Sequence, residues 1–276
     1  MHHEAFTLSL PRSAEIPVVV EVPHAGTLVD PESMATLAAP VHAIGRDADL
    51  YVDDLFCDAP DLGATLIVAR LSRYVCDLNR SESDVDALTV IGGSAKPTAH
   101  GLIWRLTTDQ LPALRRPPLP SRELARRVRD FYRPYHQAID GAIRAKVEQF
   151  GHAILVCAHS MPAADPGSLG GPSQPLADIV PGSRGRTSTS PRVLAVVERL
   201  AHKRGWSVAH DDPYTGGYST AHYGRPKSHV HAVQVELGRR LYMDEATYLP
   251  ASPGWEKTRA YCRDLVSELG VLELVP

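Results

Sequence analysis

The sequence predicts an α/β protein built on a mixed, mostly parallel central sheet with helices on both faces. Three observations point there. Apolar runs rich in β-branched residues recur at Ile16–Val22, Ala64–Ala69, Ala153–Ala158 and Val230–Leu237. Polar stretches and segments of helical apolar spacing separate them, and such alternation favours a sheet covered by helices. Two histidines, His24 and His159, stand just past the first and third of these runs, where sheets of this class hold their ligands.

Each element has its own reason. Ile16–Val22 ends at Pro23 and reads as a buried strand. Asp47–Cys57 places apolar residues at helical spacing behind acidic ones and predicts a helix. Ala64–Ala69 predicts a second strand, followed by a short extended piece at Tyr74–Asp77. The polar stretch Ser81–Ala99 predicts a loop over a site, and Pro117–Pro120 a proline-rich hinge. Ser121–Phe150 then predicts a long amphipathic helix stopped by Gly151 and kinked near Arg133, because Pro134 cannot donate to the helical ladder. Ala153–Ala158 is the next strand, and Pro162–Gly185 a long loop with a brief strand at Asp178–Val180. A helix at Ser190–Arg204, a strand at Trp206–Ala209, a loop at Asp211–Lys227, a strand at Val230–Leu237 and a helix at Pro253–Leu269 complete the chain. The expectation is a single domain over residues 1–276.

Bulk properties narrow the function classes. Of 276 residues, 43% are hydrophobic and 22% charged, which permits an ordinary globular core. The net charge of −3 gives no support for a nucleic-acid partner. The longest apolar stretches are too short to span a bilayer, and Met1–Pro11 lacks the basic-then-apolar pattern of a secretory signal. The expectation is therefore a cytoplasmic protein without a membrane partner. Cys57, Cys76, Cys157 and Cys262 form no CxxC pair, which argues against a cysteine-rich metal knuckle, and Cys157 reads as core. The sequence sets no oligomeric state.

The chemistry-bearing residues fall into four groups. Two strand-end histidines with one carboxylate are a common catalytic zinc set. His24 and His159 fill the first two places, and the acid is Asp49 or Asp53, which share one face of the predicted helix at i,i+4 spacing. In Tyr74–Arg80 (YVCDLNR), Arg80 offers a planar fork for a carboxylate beside Asn79. Asp77 either steadies Arg80 or orients a metal-bound histidine. Glu236 lies in an otherwise apolar strand, where a carboxylate is costly unless used or paired. It is either a general base or the ion-pair partner of Arg239 or Arg240. Thr215, Gly216, Gly217 and Tyr218 lie in a stretch that either presents backbone N–H groups to an anion or makes a plain turn.

Read together, the segments VPHAG, DADLYVDDLF, SRYVCDLNR, GLIW, YHQAI, HSMP, DIVPG, PYTGGY and QVELGRRLYMDE resemble the N-formylglutamate amidohydrolase family, in family order from about Val22 to Glu245. The resemblance implies a zinc carboxypeptidase/acylase-like (phosphorylase/hydrolase-like) fold and a zinc-dependent amidohydrolase acting on a small anionic N-acyl amino acid. It implies one zinc ion on His24 and His159, a substrate carboxylate on Asn79 and Arg80, and Glu236 as the base. Arg73 is the expected oxyanion donor, and Arg105 or Arg240 a second arginine for the dicarboxylate. Thr27 stands where the carboxypeptidase pattern has its glutamate ligand, so the acidic ligand is expected to be Asp49, with Asp53 second. N-formylglutamate would be cut to formate and glutamate, as in histidine breakdown. Rival readings are an amidohydrolase or peptidase with a different N-acyl substrate and a binding protein that kept only the fold.

Overall fold

The computed structural model describes residues 5–165 and 174–274. A six-stranded sheet runs in the order β1-β3-β2-β4-β8-β7. Its strands are β1 (Phe6–Ser9), β2 (Val18–Val22), β3 (Thr65–Ala69), β4 (Ala153–Met161), β7 (Ile179–Gly182) and β8 (Val230–Gly238). β2 and β8 both run parallel to β4, whereas β7 is antiparallel to β8. Two short pairs stand apart, β5 (Ala164–Asp165) with β6 (Gln174–Pro175) and β9 (Met243–Asp244) with β10 (Leu249–Pro250). The helices are α1 (Pro31–Thr36), α2 (Val41–Asp47), α3 (Val52–Leu55), α4 (Ser121–Arg127), α5 (Arg133–Phe150), α6 (Pro191–His202), α7 (Tyr218–Tyr223) and α8 (Gly254–Gly270).

Every residue of β2 and β4 is buried. That is why these strands are continuous apolar runs rather than alternating ones. The predicted kink is a π-helical segment, Val128–Tyr132, joining α4 to α5 just before Pro134. Such a widened turn accommodates a residue that lacks an N–H and crowds the preceding carbonyls.

Close contacts group the chain into two compact units. The first comprises Met1–Leu8, Val22–Leu50 and Ile67–Gly141, the second Ser9–Glu21, Tyr51–Leu66 and Ala142–Pro276. In the first, Leu37, Ala43, Tyr74, Trp104 and Ala113 form a buried cluster joined by Val29, Ala39 and Ile44. In the second, α6 packs on α8, and α7 lies against β4 and β8. Buried Val193, Val197 and Leu200 of α6 and Tyr261, Leu265 and Leu269 of α8 supply apolar core. Among the described residues, no helix is long and apolar enough to cross a membrane.

Several local expectations are corrected. Asp47–Cys57 is not one helix. α2 ends at Asp47 and α3 starts at Val52, with Tyr51 between them in the left-handed region at φ 68°. The i,i+4 relation of Asp49 to Asp53 is therefore lost. Tyr74 and Val75 lie in a turn rather than an extended piece, with Val75 N donating to Ser72 O. Trp206–Ala209 contributes only a bridge between Val208 and Ile179. Asp211–Lys227 is not all loop, because it holds α7. Residues 166–173 of the expected loop Pro162–Gly185 lie outside the described residues. β1, α1 and α2 have no counterpart in the sequence reading.

Candidate active site

In the first unit the site begins where β2 ends. His24 follows Pro23, and its carbonyl accepts from Asp49 N at 3.0 Å. Gly26 lets the chain press on its neighbour: a Cβ there would stand 2.4 Å from Arg70 C and 2.6 Å from Leu71 O. His24 and Asp49 are both buried, each 3% exposed. The imidazole Nε2 lies 2.8 Å from Asp77 Oδ1, and Nδ1 faces Asp49 Oδ2 at 3.6 Å. The latter exceeds ordinary hydrogen-bond length and leaves room for a cation between a nitrogen and a carboxylate oxygen.

Asp77 is the hub of this half. It is fully buried and accepts from His24, from Arg73 Nη2 at 2.7 Å and Nε at 3.2 Å, from Trp104 Nε1 at 2.9 Å and from Asn79 N at 3.0 Å. Burial alone would raise its pKa, but the charges of Arg73, His24 and Arg80 outweigh that and hold it well below the usual carboxylate range. Arg73 also lies 4.3 Å from the centroid of the Trp104 ring, and its Nη1 reaches Asp47 O at 3.4 Å. His100 packs against Trp104 with the rings tilted and their centroids 4.5 Å apart. Its pKa is lowered by burial and then by the nearby charges of Arg73 and Arg80. Sequence reading missed Trp104 and His100 as part of this half, although GLIW was among the matching segments. Arg105 approaches Asp86 at 3.9 Å, and its buried Nε has no hydrogen-bond partner.

In the second unit, His159 lies inside β4 rather than beyond it, in register with Glu236 of β8. They are 3% and 5% exposed. Gln234 Nε2 donates to Glu236 Oε1 at 2.8 Å. The Thr215–Gly217 stretch crosses here. Gly216 takes φ 101°, which only glycine adopts freely, and Arg184 Nη1 donates to its carbonyl at 3.0 Å. Thr215 Oγ1 lies 3.5 Å from the same nitrogen. Tyr218 opens α7 and stacks on His222 at 4.8 Å.

Two expectations change for physical reasons. Gly217 does not present its N–H to a ligand, since that group donates to Gln234 Oε1 at 2.8 Å. Arg240 is not a free fork for a dicarboxylate, because it donates to Asp178 Oδ1, Ala163 O and Leu176 O. Arg239 donates from Nε to Ser160 Oγ at 3.2 Å. Asp53 does not belong to the group that could hold a metal, and its pKa is raised by burial and by Asp54.

Among the described residues, one group of acids and histidines could hold a metal ion. It consists of His24, Asp49 and His159, all buried, with one ligand atom of each within 4.8 Å of the others. Two imidazoles and a carboxylate suit zinc or a similar divalent ion, and Asp77 behind His24 is the carboxylate that orients such a ligand.

Comparison with known proteins places the chain in a family. The family profile described as N-formylglutamate amidohydrolase matches residues 16–243. The chain belongs to the N-formylglutamate amidohydrolase family. An N-formylglutamate deformylase of Pseudomonas aeruginosa is 33% identical over 261 residues, covering 94% of both chains. One of Pseudomonas putida is 33% identical over 239 residues, covering 83% of both. The crystal structure of N-formylglutamate amidohydrolase from Ralstonia eutropha JMP134 superposes with a TM-score of 0.86 at 30% identity, covering 97% of this chain and 98% of that one. Membership in the N-formylglutamate amidohydrolase family makes the chain a hydrolase.

Proposed function

We propose that this protein hydrolyses the amide bond of N-formyl-L-glutamate to formate and L-glutamate, with His24, Asp49 and His159 as ligands of one zinc ion. The observation that carries the reading is the buried two-imidazole, one-carboxylate group in a chain of this family. When bound, zinc supplies Lewis acidity that makes water a nucleophile near neutral pH.

The chain's own residues then have separate tasks. Glu236 takes the proton of the attacking water and delivers it to the leaving amine, a general acid–base role. Gln234 donates to its Oε1 and steadies the carboxylate. Asp77 fixes the His24 ring through Nε2 and so reserves Nδ1 for the ion. Arg73, steadied by Asp77 through Nε and Nη2, offers Nη1 to the oxyanion that develops on the formyl oxygen. Asn79 and Arg80 hold a substrate carboxylate, with Arg105 as the second cation and Thr215, Gly216 and Tyr218 as the neighbouring surface. The setting belongs to the same proposal: a cytoplasmic enzyme at the terminal step of histidine breakdown.

Formate release from N-formyl-L-glutamate, N-formyl-L-aspartate and N-acetyl-L-glutamate, with metal content measured on the same preparation, tests this. The expected result is about one zinc per chain, fastest release from N-formyl-L-glutamate, and loss of activity on chelation. Metal-loaded protein that releases no formate from N-formyl-L-glutamate would sink the proposal.

A further inference from the structure

Glu236 does not stand alone in β8. The period of two along a strand puts Gln234 and Glu236 on the same face, and both are buried. The strand register sets Gln234 beside Gly182 of β7. A Cβ at Gly182 would stand 2.6 Å from Gly216 N and 2.8 Å from Tyr214 O. The missing side chain is thus what lets the 214–217 stretch settle against the strand. That approach brings Gly217 N–H to within 2.8 Å of Gln234 Oε1.

This contact removes any ambiguity in the amide. A backbone N–H can only donate, so the atom facing Gly217 must be the carbonyl oxygen. The other end of the amide is therefore the NH2 group, and it donates to Glu236 Oε1 at 2.8 Å. A directed chain results, from Gly217 N–H through the Gln234 amide to one oxygen of Glu236. The donor engages Oε1 and so fixes the carboxylate rotation, which determines where Oε2 points. The two bonds also polarise one another in the same direction, which strengthens both in a buried setting.

We propose that Gln234 is a positioning residue for the hydrolytic reaction, tying the Thr215–Gly217 stretch to Glu236 and holding the carboxylate in its working orientation. The inference rests on the reading of Glu236 as the base and deepens it. Gln234 touches neither substrate nor ion in this role, so its contribution lies in turnover rather than in binding.

Two substitutions separate the two ends of the amide. Gln234→Met removes both bonds at nearly constant length. Gln234→Glu keeps an acceptor for Gly217 but loses the amide donor to Glu236. Kinetics on N-formyl-L-glutamate are expected to show kcat lowered about ten- to hundred-fold in both variants, the range for an outer-sphere partner, with KM within about twofold and metal content unchanged. Amide exchange by NMR provides a readout independent of activity. The Gly217 N–H is expected to be slow to exchange in the wild type and in Gln234→Glu, and fast in Gln234→Met. A wild-type kcat in either variant, a loss confined to KM, or a Gly217 amide indifferent to Gln234→Met would overturn the proposal. A wild-type protein that releases no formate removes the deformylase reading instead, and the exchange experiment still judges the tie between Gly217 and Gln234.

Discussion

His24 Nε2 lies 2.8 Å from Asp77 Oδ1, so the outward-facing nitrogen of this imidazole is Nδ1, 3.6 Å from Asp49 Oδ2. The bond fixes both the ring plane and the tautomer, the usual service of a carboxylate behind a metal-binding histidine. Asp77→Asn should lower zinc affinity about ten- to hundred-fold, measured by competition with a chromogenic chelator. It should also destabilise the fold, because Arg73 would keep its buried charge without a carboxylate partner. Unchanged affinity would remove Asp77 from the ligand-orienting role.

Glu236→Gln should preserve the fold and the metal content while kcat falls by about 10² to 10⁴, the range for losing a general acid–base. The substitution is nearly isosteric, so circular dichroism and metal analysis should match the wild type. Turnover at the wild-type rate would assign proton transfer to another group.

Arg80 and Arg240 should behave oppositely although both are arginines in segments that match the family pattern, DLNR and ELGRRLYMDE. Arg80→Ala should raise KM for N-formylglutamate much more than for a neutral N-formyl amino acid. Arg240→Ala should leave that ratio alone and lower the melting temperature, because its guanidinium holds Asp178 and two backbone carbonyls. A change in dicarboxylate selectivity in the Arg240 variant would return that residue to substrate recognition.

His231 should make stability depend on pH. Its ring is buried, its Nδ1 accepts from Ser190 N at 3.1 Å at the start of α6, and its pKa is pushed down to about 4 by burial and by His152 and His229. The unfolded chain binds a proton near the ordinary value of about 6.5. Between these two values the unfolded state holds more protons, so stability rises with pH across that window. The contribution is complete above about pH 6.5 and is lost as pH falls toward about 4, amounting to at most about 3 kcal/mol. Denaturant titrations of wild type and His231→Gln over this range should show a shallower slope for the variant. Parallel slopes would contradict the assignment.

Much of the sheet was legible because burial on both faces leaves a plain signature. Val18–Val22 and Ala153–Ala158 are runs that no solvent-exposed strand would carry. The long helix and its irregularity before Pro134 were equally local, since a missing N–H acts within one turn. The failures share a different cause. Asp47–Cys57 has helical spacing, yet the Asp49 amide bonds the His24 carbonyl instead of continuing the ladder. A contact between residues 25 positions apart overrode a local preference, and the Asp49 carboxylate faces His24. β1 escaped notice because its pattern is only partly buried and short.

By itself the sequence determined the central strands, the family, and the chemical types gathered at the strand ends, because these are written in residue identity and in local periodicity. Only the tertiary structure decided that Asp49 rather than Asp53 joins the group that could hold a metal, that Asp77 backs His24, that Gly217 turns inward to Gln234, and that Arg240 bonds Asp178 and two backbone carbonyls. Periodicity reports which face of an element is buried. The partner of a buried polar atom is set by hydrogen bonds and charges brought from distant parts of the chain, and those distances exist only after folding.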